Sequence, residues 1–397
     1  MNLNLFETKI HYNLLPFTHT RPVADIRCGI FTMRQRWMSY LQQEFSGTIC
    51  HEALTEAFPV LYGADNVYVN SNLFATIPLA IVISNLKNNQ ALVQGETLIA
   101  IRTEQHLDYA QINNESLKDF EPVLFNEKLV QLQNVWDIFM LNDYGIRSDF
   151  AFLTHKTQSQ SIPSGVRIIG DADNFFIAKG AKLYDAVINV STGPVYIDED
   201  AEVMEGALIR GPFYLGKHAV VKMGAKIYGA TTIGDGSKVG GELGNVVMFD
   251  YSNKGHDGFI GNAVIGSWCN LGADTNCSNL KNNYDEVSIW NEYDGKMVKT
   301  GLQFCGLLMG DHSKCGINTM FNTGTVVGVS ANIYGGDFPD KFIPSFSWGG
   351  KNDLTLYRFD KALETAEKMM ERRHLKLTAA EQDILKNIYK KSEELYK

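Results

Sequence analysis

One stretch of this sequence places an aliphatic residue at every sixth position without a slip. Small residues follow most of these positions four places later, as Ala201 follows the first. An amphipathic helix would repeat near every 3.6 residues, and a half-buried strand would alternate at every second residue. A period of six instead predicts a solenoid whose triangular turn holds three short strands, each with one aliphatic side chain inside. The repeated positions are Ile197, Val203, Ile209, Leu215, Val221, Ile227, Ile233 and Val239.

The same spacing returns after an interruption. Phe259, Ile265 and Leu271 lie six residues apart, and a second series follows. Its members are Met309, Cys315, Phe321, Val327 and Ile333. Gly or Asn follows several of them, where a bend needs a permissive backbone. The pattern resembles the left-handed parallel β-helix of the hexapeptide-repeat acyltransferases, and we expect that fold over residues 166–350, with these side chains inside.

Composition limits the partners and the compartment. The formal net charge is −9 and no basic run stands out, so neither nucleic acid nor an anionic membrane is an expected partner. No leader pattern opens the sequence, and no apolar run approaches the ~18 residues of a membrane span. The six cysteines form no Cys-x-x-Cys pair, which predicts reduced core and surface thiols. We therefore expect a cytoplasmic protein.

The flanking regions have other patterns. Residues 1–155 predict a mixed α/β domain, with strands at 67–69, 79–83 and 98–101 and helices at 34–45 and 127–141. A polar stretch at 156–165 is the predicted linker. Residues 351–397 predict helices, where Thr378 and Glu381 form a capping box before an apolar stripe. The stripe is Ile384, Leu385 and Ile388.

The N-terminal domain contains the frame Pro16-x-Thr18-x-x-x-Pro22, which is similar to the start of sugar-1-phosphate nucleotidyltransferases. That family has a Gly-rich phosphate loop just upstream and a Lys directly after the second Pro. Here residues 7–13 contain no glycine, and Val23 takes the place of the Lys. The resemblance therefore implies a divergent Rossmann-type domain of the nucleotidyltransferase class.

Two arginines near this frame could supply the missing positive charge. Arg21 and Arg27, with Thr18, are candidate nucleotide or phosphate ligands, because guanidinium groups bind phosphate bidentately. The alternative is that the arginines pair with carboxylates such as Asp25. A transferase of this class would also use Mg²⁺, but the predicted strand end at residues 70–72 offers amides. No metal ligand is identified.

The most informative residues collect where the six-residue register breaks. The segments are Gly255-His256, Phe259-Ile260-Gly261, Asn270-Leu271-Gly272-Ala273 and Asn283-Tyr284-Asp285. They are similar to the acetyltransferase half of GlmU, the family that acetylates glucosamine-1-phosphate and uridylylates the product. The order of the two domains is also the same in that family. Loops extruded from a rigid scaffold are where binding and catalysis usually occur.

The resemblance implies roles for individual residues. His256 is the expected general base, which takes the proton from the sugar amine. The implied substrate contacts are Asn270, Asn283 and Tyr284, and the implied acetyl-CoA contacts are Gly310 and Asp311. The sequence departs from the family at Asp311, where the family has Ser.

Two further departures lie near the expected acceptor. The family's Tyr three residues after the histidine is Phe259 here, which lacks the hydroxyl. The loop before Asn283 is several residues longer and contains Lys281. Because lysine ammonium groups commonly bind phosphate, Lys254 and Lys281 are candidate phosphate clamps. The acceptor could therefore differ from glucosamine-1-phosphate.

These observations lead to one expectation and two alternatives. We expect a homotrimeric acetyltransferase that uses acetyl-CoA on an amino-sugar phosphate or nucleotide sugar, in nucleotide-sugar biosynthesis of the UDP-N-acetylglucosamine type. Alternatively, the N-terminal domain is an active nucleotidyltransferase, with Mg²⁺ as a possible cofactor, and the β-helix is a scaffold. In the third reading, a non-catalytic trimer binds a nucleotide sugar and presents its C-terminal helices to a partner.

Overall fold

The computed structural model describes residues 2–112 and 116–396, and the chain divides into two compact units. The first unit comprises residues 1–26 and 31–135, and the second comprises residues 27–30 and 136–397. The short segment 27–30 thus belongs with the β-helix rather than with its neighbours in the sequence.

The first unit is built on a mixed six-stranded sheet. Its three leading strands are parallel, as in a Rossmann-like fold, and the strand Thr97–Thr103 is antiparallel to both of its neighbours. Apolar side chains cover both faces, with Leu5 and Val67 on one and Phe6 and Tyr68 on the other. Across the sheet the strands are Gly47–Ile49, Asn2–Phe6, Asn66–Asn70, Thr97–Thr103, Gln90–Gln94 and Glu121–Leu124.

Two of the predicted elements in this region are wrong. Residues 79–83 lie in the helix Ile77–Ser84, which begins where the Thr76 hydroxyl accepts a hydrogen bond from the backbone N–H of Leu79. A short apolar run fits a strand or a buried helix equally well by spacing alone. Residues 127–141 contain only the short helix Asp137–Met140, and a longer helix, Asn142–Thr154, follows it.

The other predictions here are confirmed at shifted bounds. Strands cover residues 67–69 and 98–101. Helix Met33–Leu41 occupies most of residues 34–45, and its capping box joins Thr32 and Gln35. The residue after the helix is Gln42, whose φ of 52° is left-handed. Shorter helices in this unit are Ile10–Asn13, Phe17–His19, Val23–Asp25, Glu52–Leu54 and Ser116–Asp119.

The second unit contains a parallel β-helix with three faces, and one circuit of the three is called a coil below. Face 1 begins with Arg167–Ile169, Val187–Asn189, Leu208–Arg210 and Lys226–Tyr228. Face 2 contains Phe175–Ile177, Val195–Ile197, Phe213–Leu215, Thr231–Ile233, Leu308–Met309, Val326–Val327 and Phe342–Ile343. The long strands Glu242–Met248 and Phe259–Ile265 cross from face 1 to face 2. Asn276–Cys277 and Met320–Phe321 pair with each other in the last coils.

Face 3 includes the strand Asn253–Lys254, which precedes the predicted catalytic residue His256. Its members are Lys182–Leu183, Glu202–Val203, Val220–Val221, Lys238–Val239, Asn253–Lys254, Asn270–Leu271, Lys314–Cys315, Asn332–Ile333 and Ser347–Gly349. These strands pair in parallel, and Thr355–Leu356 closes the sheet as an antiparallel edge.

The six-residue pattern correctly identifies the core of the β-helix. Every repeated position from Ile197 to Val239, and every one from Met309 to Ile333, is buried in a single apolar cluster. Phe259 is the exception: it is half-buried, and Ile260 occupies the interior instead. The coil from Ile233 to Met248 has 15 residues where the preceding one has 18, so the inward register shifts at this point.

A long segment and two helices complete the unit. Residues 278–307 leave the β-helix between faces 1 and 2 and include the hairpin of Ser288–Asn291 with Lys296–Lys299. The C-terminal helices are Phe359–Glu371 and Ala379–Leu395. The predicted capping box at Thr378 and the buried stripe from Ile384 to Ile388 are both confirmed. The Tyr389 ring packs edge-on against Phe346, 5.2 Å away.

Two expectations from composition can be compared with the structure. All six cysteines are free, and all of them are buried, so none is a surface thiol. In residues 2–112 and 116–396, no helix has both the length and the apolar character that a membrane crossing would require.

Candidate functional site

His256 lies in a turn between face 3 and face 1. The strand Asn253–Lys254 leads into it and Phe259–Ile265 leads out. The histidine side chain is exposed, while its backbone carbonyl accepts a hydrogen bond of 2.6 Å from Lys254 Nζ. The turn therefore presents an imidazole to solvent while its backbone is held from inside the coil.

Glycines in the preceding coil let this turn lie close to its neighbour. A Cβ on Gly241 would sit 2.9 Å from the carbonyl oxygen of His256, and one on Gly240 would sit 2.7 Å from that of Gly255. Gly241 also has a φ of 73°, which L-residues with side chains rarely adopt. These two glycines therefore allow the backbone of the His256 turn to pack directly against the preceding coil.

Two asparagines form a pair on face 3 next to this turn. Asn253 Nδ2 donates a hydrogen bond of 2.8 Å to Asn270 Oδ1 across adjacent coils. Asn270, a predicted substrate contact, is half-buried. Asn253 was not among the predicted site residues, although it lies 17 residues before Asn270, which is the length of the coil between them. This spacing of one coil could have identified Asn253 as the neighbour of Asn270.

Lys254 does not project into solvent, as a phosphate clamp would. It is 1% exposed, and its ammonium donates to the backbone carbonyls of His256 and Asp257, at 2.6 and 2.9 Å. Burial lowers the pKa of Lys254 to about 8, while the negative charges of Asp257 and Asp274 act in the opposite direction. The Lys254 side chain thus lies in the interior of the β-helix and hydrogen-bonds the backbone of the turn that contains His256.

The predicted loop residues all lie in the segment 278–307. Lys281 Nζ donates a hydrogen bond of 2.5 Å to the carbonyl of Glu286. The amide of Asn283 contacts the carboxylate of Asp285 and also accepts from its backbone N–H, so it forms a turn. Tyr284 is 66% exposed. These contacts order the loop and leave the phenol ring accessible.

The loop and His256 are at opposite ends of face 1. His256 precedes a face 1 strand, whereas the segment 278–307 departs after the face 1 strand of the following coil. At the base of the loop, Asn279 Nδ2 donates to Asn262 Oδ1 at 2.8 Å. One chain therefore brings Lys254, His256 and Asn270 together, but leaves Lys281, Asn283 and Tyr284 at another corner.

The two predicted acetyl-CoA contacts are structural parts of the coil in this chain. Gly310 donates its N–H to the Val327 carbonyl at 2.8 Å. The carboxylate of Asp311 is buried and accepts the backbone N–H of Ser267 at 2.8 Å. Asp250 accepts from the Asp235 N–H in the same way. Asp311 therefore repeats, at another turn of the β-helix, a hydrogen bond from an aspartate to the backbone of the adjacent coil. Such a role explains an aspartate where the family has Ser.

In the first unit, the phosphate-loop position is occupied by a carboxylate. Glu7 is 1% exposed and accepts hydrogen bonds from the backbone N–H groups of Val23 and His51, at 2.7 and 2.8 Å. Its other contact is His11 Nδ1, 2.9 Å away. Thr18 is buried and donates to the His11 carbonyl at 2.6 Å, so its hydroxyl is used within the fold.

The two candidate arginines are in different units. Arg21 is half-buried in the first unit. Arg27 belongs to the second unit, is 4% exposed, and donates to the Ile30 carbonyl at 2.6 Å. Its guanidinium lies 3.1 Å from an Asp250 carboxylate oxygen. Burial opposes the charged form, but Asp250 and Tyr214 raise the pKa of Arg27 above its ordinary value.

The amides at the end of the strand Asn66–Asn70 do not fit a Mg²⁺ site. Asn70 Nδ2 donates to the Leu98 carbonyl and Asn72 Nδ2 donates to the Leu132 carbonyl. Mg²⁺ is usually held by carboxylates together with substrate phosphates. Within the described residues, no group of three or more His, Cys, Asp or Glu side chains could hold a metal ion.

Comparison with known proteins identifies the chain's relatives. Residues 3–158 match the family model for sugar nucleotidyl transferases. A bifunctional sugar-1-phosphate nucleotidylyltransferase/acetyltransferase of Sulfurisphaera tokodaii is 36% identical over 146 residues, 36% of each chain. YaiX of Escherichia coli, described as an uncharacterized acetyltransferase, is 32% identical over 179 residues, 44% of this chain and 77% of that protein. The chain belongs to the acetyltransferase family of YaiX, and part of it is similar to the bifunctional GlmU proteins.

The bifunctional relatives are longer than the matched part. This chain spans 36% of the Sulfurisphaera protein and 28% of the bifunctional protein GlmU of Methanococcus maripaludis, to which it is 28% identical over 123 residues. Among solved structures, the polySia specific acetyltransferase NeuO is 15% identical with a TM-score of 0.27. The alignment covers 53% of this chain and 99% of NeuO.

Proposed function

We propose that this protein transfers an acetyl group from acetyl-CoA to the amine of an amino-sugar phosphate or a nucleotide sugar. The observation that carries the proposal is the exposed imidazole of His256 at a corner of a parallel β-helix, beside the backbone of Gly241 and the Asn253–Asn270 pair. The names of the relatives support the same class of reaction. We place it in the cytoplasm, in nucleotide-sugar biosynthesis of the UDP-N-acetylglucosamine type.

The proposed chemistry is amine attack on a thioester. The amine nitrogen bonds to the acetyl carbon and gives its proton to His256, because an imidazole can accept a proton near neutral pH. Backbone N–H groups, with Asn270 of the same chain or Asn283 of a neighbouring chain, stabilise the oxyanion. The C–S bond then breaks and CoA leaves as the thiolate, which needs no strong acid. The amide product remains on the sugar.

The placement of the loop supports a homotrimer as part of the proposal. His256 and Tyr284 lie at opposite ends of face 1, so the loop of one chain could complete the site at His256 of another. Light scattering should therefore give a trimer. Mixed assemblies of His256→Ala and Tyr284→Ala chains should also regain activity that neither variant has alone. A monomer, or mixtures no more active than their components, would contradict the shared site.

The activity itself is tested by release of free CoA, followed with a thiol reagent. The assay uses acetyl-CoA and a panel of amino-sugar phosphates and amino nucleotide sugars that includes glucosamine-1-phosphate. We expect CoA release that depends on one class of acceptor, together with an N-acetylated product detected by mass spectrometry. No acceptor-dependent release across the panel would count against the proposal.

A second candidate activity belongs to residues 1–155, which we propose as a divergent sugar nucleotidyltransferase-like domain before the acetyltransferase region 166–350 and the C-terminal helices 351–397. The family-model match over residues 3–158 favours it. Pyrophosphate release from UTP and a sugar 1-phosphate, lost in Arg21→Ala, would establish this activity. Binding of a nucleotide sugar without any turnover at either domain would instead favour a regulatory protein.

A further inference from the structure

The interior column of face 3 contains one residue that breaks its pattern. Strand pairing places Lys254 directly after Val239 in this column, in a position that the flanking coils fill with apolar side chains. Lysine is almost never fully buried unless it is paired, because desolvation disfavours the charged amine. The column contains Leu183, Val203, Val221, Val239, Lys254, Leu271, Cys315 and Ile333.

The contacts of this lysine are all directed at one turn. Its Nζ donates to the backbone carbonyls of His256 and Asp257, at 2.6 and 2.9 Å, and the side chain is 1% exposed. A valine fills the same column position in the three coils that contain Val203, Val221 and Val239. Stability alone would therefore favour an aliphatic residue here. Local rules of this kind are typically broken at functional sites.

We propose that Lys254 is a positioning residue for His256. Its ammonium reaches the turn from inside the coil, fixes two consecutive carbonyls, and so holds the imidazole in one orientation at the surface. A neutral amine still has two N–H donors, so it can make both hydrogen bonds. The inference rests on the proposed function, in which His256 is the base, and it replaces the phosphate-clamp role that the sequence suggested for Lys254.

The first test replaces the lysine by an apolar side chain of similar length. Lys254→Met should lower kcat by about 10-fold or more, because misplacing a catalytic group by about 1 Å can cost about 10²-fold. The KM for acetyl-CoA should stay within about twofold, and the melting temperature should be equal or higher, since a buried charge is removed. The matched control is Lys226→Met, at an exposed lysine of face 1. A kcat of Lys254→Met equal to that of the control would overturn the proposal.

A second variant separates hydrogen bonding from simple packing. Lys254→Gln keeps two N–H donors without the charge, so it should retain at least about threefold more kcat than Lys254→Met. Equal losses in the two variants would contradict a role that depends on donating to the carbonyls. If Lys254→Met fails to assemble, Lys254→Leu takes its place in this comparison.

A readout that needs no turnover keeps this inference distinct from the proposed activity. Amide hydrogen exchange of the peptide covering residues 253–260 should be about fivefold faster or more in Lys254→Met than in wild type, and unchanged in Lys226→Met. Exchange in Lys254→Met at the wild-type rate would overturn the proposal that Lys254 holds the turn. Failure of wild type to acetylate any acceptor would count against the proposed function alone, because the exchange experiment still tests Lys254.

Discussion

The ammonium of Lys254 donates a hydrogen bond of 2.6 Å to the backbone carbonyl of His256 from inside the β-helix. The two side chains therefore point to opposite sides of the same turn, one buried and one exposed. A buried charge lowers stability, while an exposed imidazole on a fixed backbone favours precise proton transfer. The loss of stability caused by the buried Lys254 charge is thus connected to the proposed proton transfer at His256.

The first prediction concerns the pH dependence of stability. Burial lowers the pKa of Lys254 to about 8 in the folded chain, against about 10.4 when unfolded. Between these values the unfolded state binds more protons, so the free energy of unfolding should rise with pH, by about 3 kcal/mol at most. Below about pH 8 both states are protonated and the full cost of the charge is present.

This prediction is checked by urea unfolding at pH 7.5 and pH 10. The wild type should gain more free energy of unfolding between the two pH values than Lys254→Met, in which the titrating amine is gone. Identical changes in the two proteins would show that the lysine is not buried as a charged group.

The second prediction concerns Arg27. Arg27→Ala should lower the free energy of unfolding by about 2 kcal/mol, because the partly buried Asp250 carboxylate loses its charged donor. Arg210→Ala, at an exposed arginine of the same β-helix, should change it by less than about 0.5 kcal/mol. Thermal or urea unfolding of the two variants makes the comparison. Equal stability would contradict a structural role for Arg27 and return it to the candidate phosphate ligands.

The third prediction concerns the last helix. The Thr378 hydroxyl accepts the Glu381 N–H at 3.2 Å, and the Glu381 carboxylate accepts the Thr378 N–H at 2.7 Å. Thr378→Ala should therefore cost about 1 kcal/mol and speed amide exchange in the first turn. Lys386→Ala, at an exposed mid-helix position, should leave both unchanged. Exchange in the first turn that matches wild type would show that the cap does not hold this end of the helix.

The sequence predicted the β-helix core well, because each coil needs an apolar side chain in its interior at the same fixed spacing. The prediction failed at Phe259, because the interior positions Ile260 and Ile265 are five residues apart instead of six. The shifted register was still readable. Lys254 lies six residues after Met248 and six before Ile260, which places it inside the coil rather than on the surface.

Other features of the structure depend on contacts between residues far apart in the chain, which the spacing of apolar residues does not predict. The Asp250 partner of Arg27 lies far along the chain, so the sequence could suggest a phosphate ligand but not this ion pair. The apolar run at 79–83 contained too few residues to distinguish a helix from a strand. In that case Thr76 and Pro78 were the available signals, since Ser or Thr caps and an early Pro mark the start of a helix.

The central claim is that His256 is the base of an acetyl transfer. Its most direct test is the kcat for CoA release from acetyl-CoA and the preferred acceptor, compared among wild type, His256→Ala and His218→Ala. His218 is a matched control, because it also occupies a corner of the β-helix and its side chain is 71% exposed. We expect His256→Ala to lower kcat by about 10²–10⁴-fold and His218→Ala to stay within about twofold of wild type. Turnover of His256→Ala at the wild-type rate would contradict the account.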